Sequence, residues 1–525
     1  MNHRKTFQII SAVCLLLLGV SKIGAQITSA QIDKLVEESM SKMNVAGAAI
    51  AVVKDGKVIH SKGYGVKSIK TKEKVDASTC FAIASNSKAF TTTALAILVE
   101  EGKLNWTDKV IDYIPEFRMY DPYITANFNI QDLLTHRSGL GLGVGDLMFF
   151  PDGSDFTIDH LLGVFQHFKP VSAFRTKYDY DNLLYVVAGE VVKRASGMSW
   201  EQFVQEKIMS PLQMDKSFPA LPEVNNQSGI SYPHNTIDGK LMALPHFKEM
   251  INGAAGGIYA NVEDLSKWIL CHLNKGKYGP GLDKQLFSEE SQREMWKIHT
   301  VLEPNRNPRY KTHFAGYGLG WGLSDVLGNM VVTHTGGLPG MLSKTLLVPD
   351  LNLGFVILTN TEPGGGALFS AISQTILDSY LGLSDYGWVD IYNRRLNEGQ
   401  NVGDSVVTEV WNKVKMNAGQ KINLTNYTGT YRDAWFGDVE VFNKNDKLYI
   451  KCVRSPKLSG QLQFFNANTF AVKWEYQDMN ADAFVMFDLD ENGLGKSIKM
   501  KGISPNIDFS FDFHDLDLKR VDVGE

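Results

Sequence analysis

Residues 81–101 read FAIASNSKAFTTTALAILVEE, and this stretch predicts a short strand end that runs into a long helix. Ser85 and Lys88 form an S-x-x-K pattern at the point where the helix begins. Residues three apart share one face of a helix, so the lysine amine can reach the serine hydroxyl. A serine becomes nucleophilic when a nearby base takes its proton, and a desolvated lysine can be that base. The exposed N–H groups of a helix N-terminus favour the negative charge that develops in such a reaction.

The S-x-x-K pattern is too short to be diagnostic, and the chain contains a second copy that runs from Ser39 to Lys42. Apolar residues at helical spacing predict an amphipathic helix over residues 29–43, and this copy lies in its latter half. Neither a helix N-terminus nor a buried pocket is expected there. We therefore interpret the second copy as a solvated helix face.

Tyr180 and Asn182 are the outer residues of a Y-x-N pattern further along the chain. A phenol near a lysine ammonium can ionise and act as a general base, and an amide side chain can orient a substrate carbonyl. A competing Y-x-N pattern begins at Tyr259. Its Asn261, followed three residues later by Asp264, is typical of the N-cap of a helix, so a structural role explains that copy. Tyr180 is the predicted functional tyrosine.

His334, Thr335, Gly336 and Gly337 follow a short apolar strand. Small residues at a strand edge let a substrate lie against the backbone, and the N–H of Gly337 could join that of Ser85 as an oxyanion hole. A strand that ends in a tight glycine-rich turn explains the same residues without a function.

Taken together, the patterns occur in the order S-x-x-K, Y-x-N and H-T-G, and over about residues 30–383 the chain resembles the serine β-lactamase and penicillin-binding protein superfamily. The resemblance is closest to the class C branch with its esterases and D-amino-acid peptidases. Four further stretches carry it: LLTHRSGL (133–140), GGIYANVEDLSKW (256–268), YGLGW (317–321) and LTN (358–360).

The resemblance implies a role for each candidate residue. Ser85 would be the nucleophile, Lys88 and Tyr180 the proton-handling pair, and Asn182 with His334–Gly337 the substrate-holding groups. A lysine at position 334 would present a positive charge to a substrate carboxylate, whereas an ordinary histidine is mostly neutral at pH 7. The histidine therefore favours esters, D-amino-acid peptides or other acyl donors over β-lactams.

The function that follows is an exported serine hydrolase acting through an acyl-Ser85 on ester, amide or D-amino-acid peptide substrates. Transfer of the acyl group to an alcohol or amine acceptor stays open, because it needs only an acceptor that outcompetes water. One alternative is a β-lactamase or DD-peptidase. Another is a penicillin-binding sensor that stays acylated.

The element pattern predicts an α/β fold in which an antiparallel sheet pairs its first and last strands, with helices flanking it and a helical subdomain inserted between them. A polar connector over 384–423 then leads to a small all-β barrel or sandwich over 424–525, which resembles a domain often appended to such hydrolases. We expect this tail to pack near the cleft and restrict substrate size. The predicted elements are strands at 48–53, 57–63, 330–333, 354–360, 439–442, 448–452, 469–474, 484–489 and 507–513, with a helix at about 366–381.

The N-terminus reads as a secretory signal peptide over residues 1–25. Basic residues 3–5 precede an apolar run over 9–20, and small residues at 24–25 offer a cleavage site. The run is too short for a transmembrane anchor, which needs about 20 apolar residues. This pattern predicts a hydrolase domain that starts at Gln26, a periplasmic or secreted location and no membrane span after cleavage.

Composition narrows the remaining classes of function. The 525 residues carry a formal net charge of −5 and no basic stripe, which argues against nucleic-acid binding. His136 and His313 have no partners at metal-ligand spacing, so no metal or cofactor is predicted. The expected partner is a small-molecule or peptide acyl donor. We expect three cysteines to be buried free thiols: Cys80, Cys271 and Cys452. Four phenylalanines are expected either to line the cleft or to fill the core: Phe149, Phe150, Phe165 and Phe168.

Overall fold

The computed structural model describes residues 26–222, 229–237, 239–248 and 251–521, so the predicted signal peptide lies outside it. Within the described residues an α/β domain is followed by a long helix and a closed β-barrel. The strands of the α/β domain are β1 (Gly47–Lys54), β2 (Lys57–Gly65), β3 (Phe81–Ala82), β4 (His234–Ile237), β5 (Lys240–Ala243), β6 (Tyr259–Ala260), β7 (Lys277–Tyr278), β8 (Lys284–Gln285), β9 (Thr300–Leu302), β10 (Ala315–Tyr317), β11 (Gly322–Val326), β12 (Asn329–Leu338), β13 (Met341–Val348), β14 (Leu353–Thr359) and β15 (Thr361–Glu362).

The helices lie before, between and after these strands. None of the described helices is both long and apolar enough to cross a membrane. The helices are α1 (Ser29–Lys42), α2 (Ser87–Glu100), α3 (Val110–Tyr113), α4 (Pro122–Asn127), α5 (Ile130–Leu134), α6 (Ile158–Val164), α7 (Leu183–Ser196), α8 (Trp200–Val204), α9 (Gly253–Gly256), α10 (Val262–Leu273), α11 (Glu289–Met295), α12 (Gly364–Tyr380) and α13 (Trp388–Met416).

The central sheet has eight antiparallel strands in the order β2-β1-β14-β13-β12-β11-β10-β9. The first strand of the chain therefore pairs with the last long strand of the domain, from Ala48 opposite Thr359 to Lys54 opposite Leu353. The predicted fold is confirmed: an antiparallel sheet is flanked by helices, and a helical region that includes α3–α8 is inserted between β3 and β4.

Strand β1 is apolar along its whole length because both of its faces are covered. Ile50 and Val52 belong to the core formed with α1 and α12. Ala49, Ala51 and Val53 point to the opposite face, into the core that contains the apolar residues of α2. Successive side chains of a strand alternate between faces, so a strand between two layers needs apolar residues at every position.

Strand β12 is longer than the sequence predicted. It runs from Asn329 through the H-T-G-G residues to Leu338, where the expectation was a strand that ended at Thr333. Strand β13, which the sequence analysis missed, pairs with β12 along this whole extension. The H-T-G-G residues are therefore part of a regular strand, and the turn of the hairpin comes after them.

The C-terminal domain is a closed barrel of eight antiparallel strands, which confirms the predicted all-β domain. Four of the five strands predicted there are present, and four others were missed. The barrel strands are β16 (Gly429–Asp433), β17 (Gly437–Lys444), β18 (Lys447–Cys452), β19 (Ser459–Asn466), β20 (Thr469–Trp474), β21 (Ala483–Leu489), β22 (Gly495–Gly502) and β23 (Leu518–Val521).

The strand predicted over residues 507–513 is wrong, because this segment forms turns between β22 and β23. The side chain of Asp508 accepts a hydrogen bond from the N–H of Ser510 at 2.9 Å, a local bond that favours a turn over a strand. Phe511 and Phe513 are buried without a strand partner, whereas Phe509 is 38% exposed. Phe511 lies 6.4 Å from Phe150 of the α/β domain, measured between ring centroids.

The predicted polar connector contains the long helix α13, and a buried carboxylate anchors its first turn. Asp378 on α12 accepts hydrogen bonds from Trp388 Nε1 at 2.8 Å, from Tyr310 Oη at 2.9 Å and from Arg309 Nε at 3.0 Å. Asp378 is only 2% exposed. A buried carboxylate with this many donors links α13 to the α/β domain.

We predict that Asp378→Ala lowers the free energy of unfolding of the α/β domain by about 3 kcal/mol, because it leaves the Arg309 charge without its carboxylate and Trp388 Nε1 without an acceptor. Tyr310 Oη keeps Gln374 Oε1 as an acceptor. Calorimetry would show the corresponding fall in the unfolding midpoint. Asp390→Ala is the control, since Asp390 lies in the first turn of α13 with a side chain that is 74% exposed. Equal midpoints for Asp378→Ala and the unmutated protein would contradict the prediction.

Candidate active site

Ser85 lies on a tight turn between β3 and the start of α2. The residue before it, Ala84, has φ 48°, a left-handed conformation that costs a residue with a side chain about 1–2 kcal/mol. Two hydrogen bonds hold the turn against β13: Asn86 Nδ2 donates to Ser343 Oγ at 2.8 Å, and Ser343 Oγ donates to the Ile83 carbonyl at 2.6 Å. The serine hydroxyl is thus presented at a fixed place beside the sheet.

Lys88 lies directly below Ser85 and is fully buried. Its Nζ is 3.1 Å from Ser85 Oγ, 2.7 Å from Asn182 Oδ1 and 3.0 Å from the carbonyl oxygen of Ala255. Burial lowers the pKa of the Lys88 amine to about 7, although the nearby acids Asp146 and Asp181 raise it. At neutral pH a large fraction of this amine is therefore unprotonated and able to accept a proton.

Tyr180 covers the other side of Lys88, with the Nζ atom 4.8 Å from the centre of its ring. Burial raises the pKa of the Tyr180 phenol well above its ordinary value, although a hydrogen bond with Ser85 lowers it. In the resting site Tyr180 is therefore a protonated phenol. Of the two residues predicted to handle protons, Lys88 has the pKa that suits a base at neutral pH.

Asn182 connects Lys88 to a buried acid. Its Oδ1 accepts the hydrogen bond from Lys88, and its Nδ2 donates to Asp146 Oδ2 at 2.8 Å. Burial raises the pKa of Asp146 well above its ordinary value, while the hydrogen bonds from Asn182 and Ser510 lower it.

His334 is buried and neutral. Its Nδ1 lies 2.6 Å from the carbonyl oxygen of Thr335, so this nitrogen carries the proton, and its Nε2 accepts from the Tyr317 hydroxyl at 2.8 Å. Burial, together with the smaller effect of the nearby Lys88, lowers the pKa of His334 to about 3. The imidazole therefore supplies no positive charge for a substrate carboxylate.

The edge of β12 next to Ser85 is open to the cavity. Pairing between β11 and β12 ends where Gly322 lies opposite Thr333, whereas β13 continues opposite β12 up to Leu338. A Cβ at Gly336 would overlap the Ile83 carbonyl and lie 3.0 Å from the Ser85 nitrogen, so only glycine lets the strand approach Ser85 this closely. The open edge is long enough for a substrate backbone to lie along it.

A cavity of about 430 Å³ lies above these groups. Seven of the eight predicted site residues line it: Ser85, Tyr180, Asn182, His334, Thr335, Gly336 and Gly337. Lys88 does not line it but contacts two of these residues, Ser85 and Asn182. Phe149 and Phe150 also line it, whereas Phe165 packs in the core at 5.3 Å from Phe117, measured between ring centroids. Phe168 likewise packs on Trp435, at 5.4 Å.

The sequence analysis missed His136 as a member of the site. His136 is fully buried, its Nδ1 accepts a hydrogen bond from the N–H of Asp181 at 3.0 Å, and its ring lies 4.2 Å from that of Tyr180. It therefore supports the Y-x-N turn from below. The only signal in the sequence was its place in the LLTHRSGL stretch. Among the described residues, no group of three or more His, Cys, Asp or Glu side chains could hold a metal ion.

The barrel contributes one wall of the cavity, through Met479, Asp508, Phe509 and Ser510. This confirms that the tail packs near the cleft. Asp508 and Glu362 are the two lining residues with ionisable carboxyl groups, and no lysine or arginine lines the cavity within the described part of the chain. Burial and the neighbouring Asp508 raise the pKa of Glu362 to about 7.

The comparisons with known proteins agree with this geometry. The family model described as “Beta-lactamase” matches residues 32–374, more than half of the chain. The chain belongs to the β-lactamase family. A second family model, a domain of unknown function named DUF3471, matches residues 415–520 and so covers the barrel.

Two curated relatives and one solved structure illustrate the family. Protein flp from Staphylococcus aureus (strain MW2) is 29% identical over 339 residues, which are 63% of this chain and only 62% of that protein. The unguisins hydrolase ungD′ of Aspergillus campestris (strain IBT 28561) is 24% identical over 379 residues, 70% of this chain and 69% of that protein. The octameric penicillin-binding protein homologue from Pyrococcus abyssi shares the fold, with a TM-score of 0.60 at 20% identity, over 94% of this chain and 100% of that chain.

The competing copy at Asn261 takes the structural role expected of it. Of the two defining residues of the second S-x-x-K copy, only the lysine is solvated, because Ser39 is fully buried and its Oγ donates to the Leu35 carbonyl at 2.7 Å. Lys42 pairs with Glu38 and Asp390 on the surface, and Asn261 caps α10 by accepting from the N–H of Asp264 at 2.9 Å. Both copies lie outside the cavity. Cys80, Cys271 and Cys452 are free and buried, as predicted.

The pKa of Lys88 predicts how the reactivity of Ser85 depends on pH. Labelling of Ser85 by a fluorophosphonate probe should slow as pH falls through about 7, because the amine becomes protonated and can no longer accept the serine proton. Lys88→Arg should slow labelling at least about 100-fold at pH 8, since a guanidinium stays charged.

Lys42→Arg is the matched control because it changes the other S-x-x-K copy, and it should label at the normal rate. Labelling of the unmutated protein that does not vary between pH 6 and pH 8 would contradict the role given to Lys88.

Proposed function

We propose that this chain is an exported serine hydrolase that works through an acyl-enzyme on Ser85. The observation that carries the proposal is the buried contact between Ser85 Oγ and Lys88 Nζ at 3.1 Å. A serine hydroxyl next to an amine with a pKa of about 7 has a base matched to neutral pH. Membership of the β-lactamase family supports the same chemistry.

The first half of the reaction forms the acyl-enzyme. Lys88 accepts the Ser85 proton while Oγ bonds to the substrate carbonyl carbon, and the N–H groups of Ser85 and Gly337 stabilise the resulting oxyanion. The bond to the leaving group then breaks, and the leaving group takes the proton from Lys88 through Tyr180. With its raised pKa, Tyr180 acts as a relay that gives up its own proton only as it receives one.

The second half of the reaction releases the acyl group. Water gives a proton to the same pair of residues as its oxygen attacks the acyl carbon. The ester bond to Ser85 then breaks, and Ser85 recovers its proton as the carboxylic acid leaves. An alcohol or amine that reached the acyl-enzyme ahead of water would take the acyl group instead. The relative whose name is unguisins hydrolase supports turnover over a permanently acylated sensor.

The charges around the cavity favour acyl donors without a carboxylate near the reacting carbonyl. His334 is neutral, and the ionisable lining residues Glu362 and Asp508 are acids. A carboxylate entering this cavity meets negative charge and no cation from the described lining residues. We therefore place neutral or cationic esters, amides and D-amino-acid peptides ahead of β-lactams and of peptides that end in a free carboxylate.

Export forms part of the proposal and rests on the N-terminal sequence. The basic residues 3–5, the apolar run that follows them and the small residues at 24–25 are typical of a signal peptide. We expect the mature chain to begin at Gln26 and to act in the periplasm or outside the cell.

The proposed function is tested by pre-steady-state kinetics with p-nitrophenyl acyl esters. We expect a burst of one p-nitrophenol per active site followed by slower turnover, because acylation releases the phenol before water regenerates Ser85. Ser85→Ala should show neither phase. Added alcohols or amines that raise the rate and yield new esters or amides would assign acyl transfer.

Ser39→Ala, in the other S-x-x-K copy, serves as the control and should keep both phases. A burst without later turnover would identify a sensor. Release that continues in Ser85→Ala would refute the acyl-Ser85 mechanism.

The charge of Glu362 gives a separate prediction about selectivity. Glu362→Gln should raise kcat/KM for a carboxylate-bearing ester relative to its neutral methyl ester by about threefold to tenfold at pH 8, because one negative charge leaves the cavity wall. The effect should shrink toward pH 6, where a group with a pKa near 7 is already protonated. Both esters depend on Lys88 in the same way, so the titration of Lys88 cancels in the ratio of their kcat/KM values.

Glu263→Gln, an exposed carboxylate outside the cavity, should leave the ratio unchanged. If the kcat/KM ratio of the two esters at pH 8 is the same in Glu362→Gln as in the unmutated protein, this acid does not select the donor.

A further inference from the structure

We propose that residues 508–512 of the barrel are a positioning part of the active site, because Ser510 and Asp512 hold Asp146 and its turn, and Asp146 orients the Asn182 amide toward Lys88. The inference deepens the proposed function and rests on it. In this proposal the C-terminal domain contributes to acylation in addition to forming one wall of the cavity.

The orientation of the Asn182 amide is the first step. An amide has an accepting oxygen and a donating nitrogen, and the two ends are nearly equal in size. Asp146 Oδ2 accepts from Asn182 Nδ2 at 2.8 Å, which leaves Oδ1 to face Lys88 Nζ at 2.7 Å. A flipped amide would place its N–H groups against the amine and its oxygen against the acid. Asp146 therefore keeps an acceptor beside Lys88.

The barrel holds Asp146 through a hydroxyl. Ser510 Oγ donates to Asp146 Oδ2 at 2.9 Å, so the same oxygen receives one donor from each domain. Asp146 is fully buried and Ser510 is only 3% exposed. The other oxygen of this carboxylate, Oδ1, has no hydrogen-bond partner, which makes the two donors to Oδ2 its only described anchors.

The barrel also holds the backbone on both sides of Asp146. The carboxylate of Asp512 accepts from the N–H of Gly145 at 2.7 Å and from the N–H of Leu147 at 3.0 Å. The N–H of Gly143, in the same turn, donates to the Tyr180 carbonyl at 2.8 Å. Asp512 therefore fixes a turn that contacts both the Asn182 side chain and the Tyr180 backbone.

A third contact reaches the phenol itself. The ring of Phe509 meets the ring of Tyr180 edge-on, with centroids 5.8 Å apart and an interplanar angle of 80°. A Cβ at Gly143 would come within 2.9 Å of the Phe509 carbonyl oxygen, so the two segments are in close contact. The barrel segment thus contacts the supports of Lys88 and of Tyr180, while Ser85 is held by the sheet.

The test compares Ser510→Ala with Ser497→Ala. Ser497 Oγ donates to Asp488 Oδ2 at 2.8 Å inside the barrel and is only 2% exposed, so the two changes remove the same kind of bond. We expect Ser510→Ala to slow the acylation burst about tenfold with KM within twofold, since a misplaced proton acceptor acts on the chemical step. Ser497→Ala should acylate normally, and Ser510→Thr, which keeps the hydroxyl, should stay within threefold of the unmutated protein.

The outcomes separate this inference from the function on which it rests. Ser510→Ala that acylates within twofold of the unmutated protein would overturn the inference alone. Equal slowing in Ser510→Ala and Ser497→Ala, or in Ser510→Ala and Ser510→Thr, would also overturn it, because the effect would then be one of general packing. Thermal unfolding of each variant checks that it is folded. An unmutated protein that never acylates Ser85 would instead overturn the proposed function.

Discussion

The Nζ of Lys88 is removed from water and contacts three oxygen atoms, none of which belongs to a carboxylate. A buried ammonium without a paired anion is costly, and the protein meets that cost by letting the amine lose its proton near pH 7. Much of the surrounding architecture maintains this condition. Helix α2 brings the amine to Ser85, α9 supplies the Ala255 carbonyl, and Asn182 supplies an acceptor that carries no charge.

Buried acids lie one step further out and moderate the effect. Asp146 and Asp181 raise the pKa of Lys88, yet burial raises the pKa of each acid as well, to about 7 for Asp181. The pKa of the Lys88 amine is thus kept between two extremes. Without these acids the amine would be a weaker base, and with fully ionised acids in direct contact it would stay protonated. Because a hydroxyl of the barrel donates to Asp146, groups of both domains influence the charge around Lys88 and Ser85.

Local patterns in the sequence predicted the parts of the fold that depend on neighbours in the chain. The helix after Ser85, the cap at Asn261 and the pairing of the first and last strands follow from spacing and turn residues. Strand β13 and four barrel strands were missed, although each pairs with a strand next to it in the chain. Strand β13 ends in four consecutive buried residues, so it lacks the strict alternation that marks a half-buried strand. The segment from Ile507 to Phe513 was wrongly predicted as a strand because Phe511 and Phe513 are buried without a strand partner.

The sequence by itself determined that Ser85 and Lys88 lie side by side, because an S-x-x-K at a helix start places two side chains together through backbone geometry alone. It also determined that position 334 is not a lysine. Only the tertiary structure decided that Lys88 is excluded from water and that His334 is neutral. It alone also showed that Asp146, His136 and Ser510 support the site. Burial and hydrogen bonding depend on which distant segments surround a group, and the barrel reaches Asp146 only once both domains are folded.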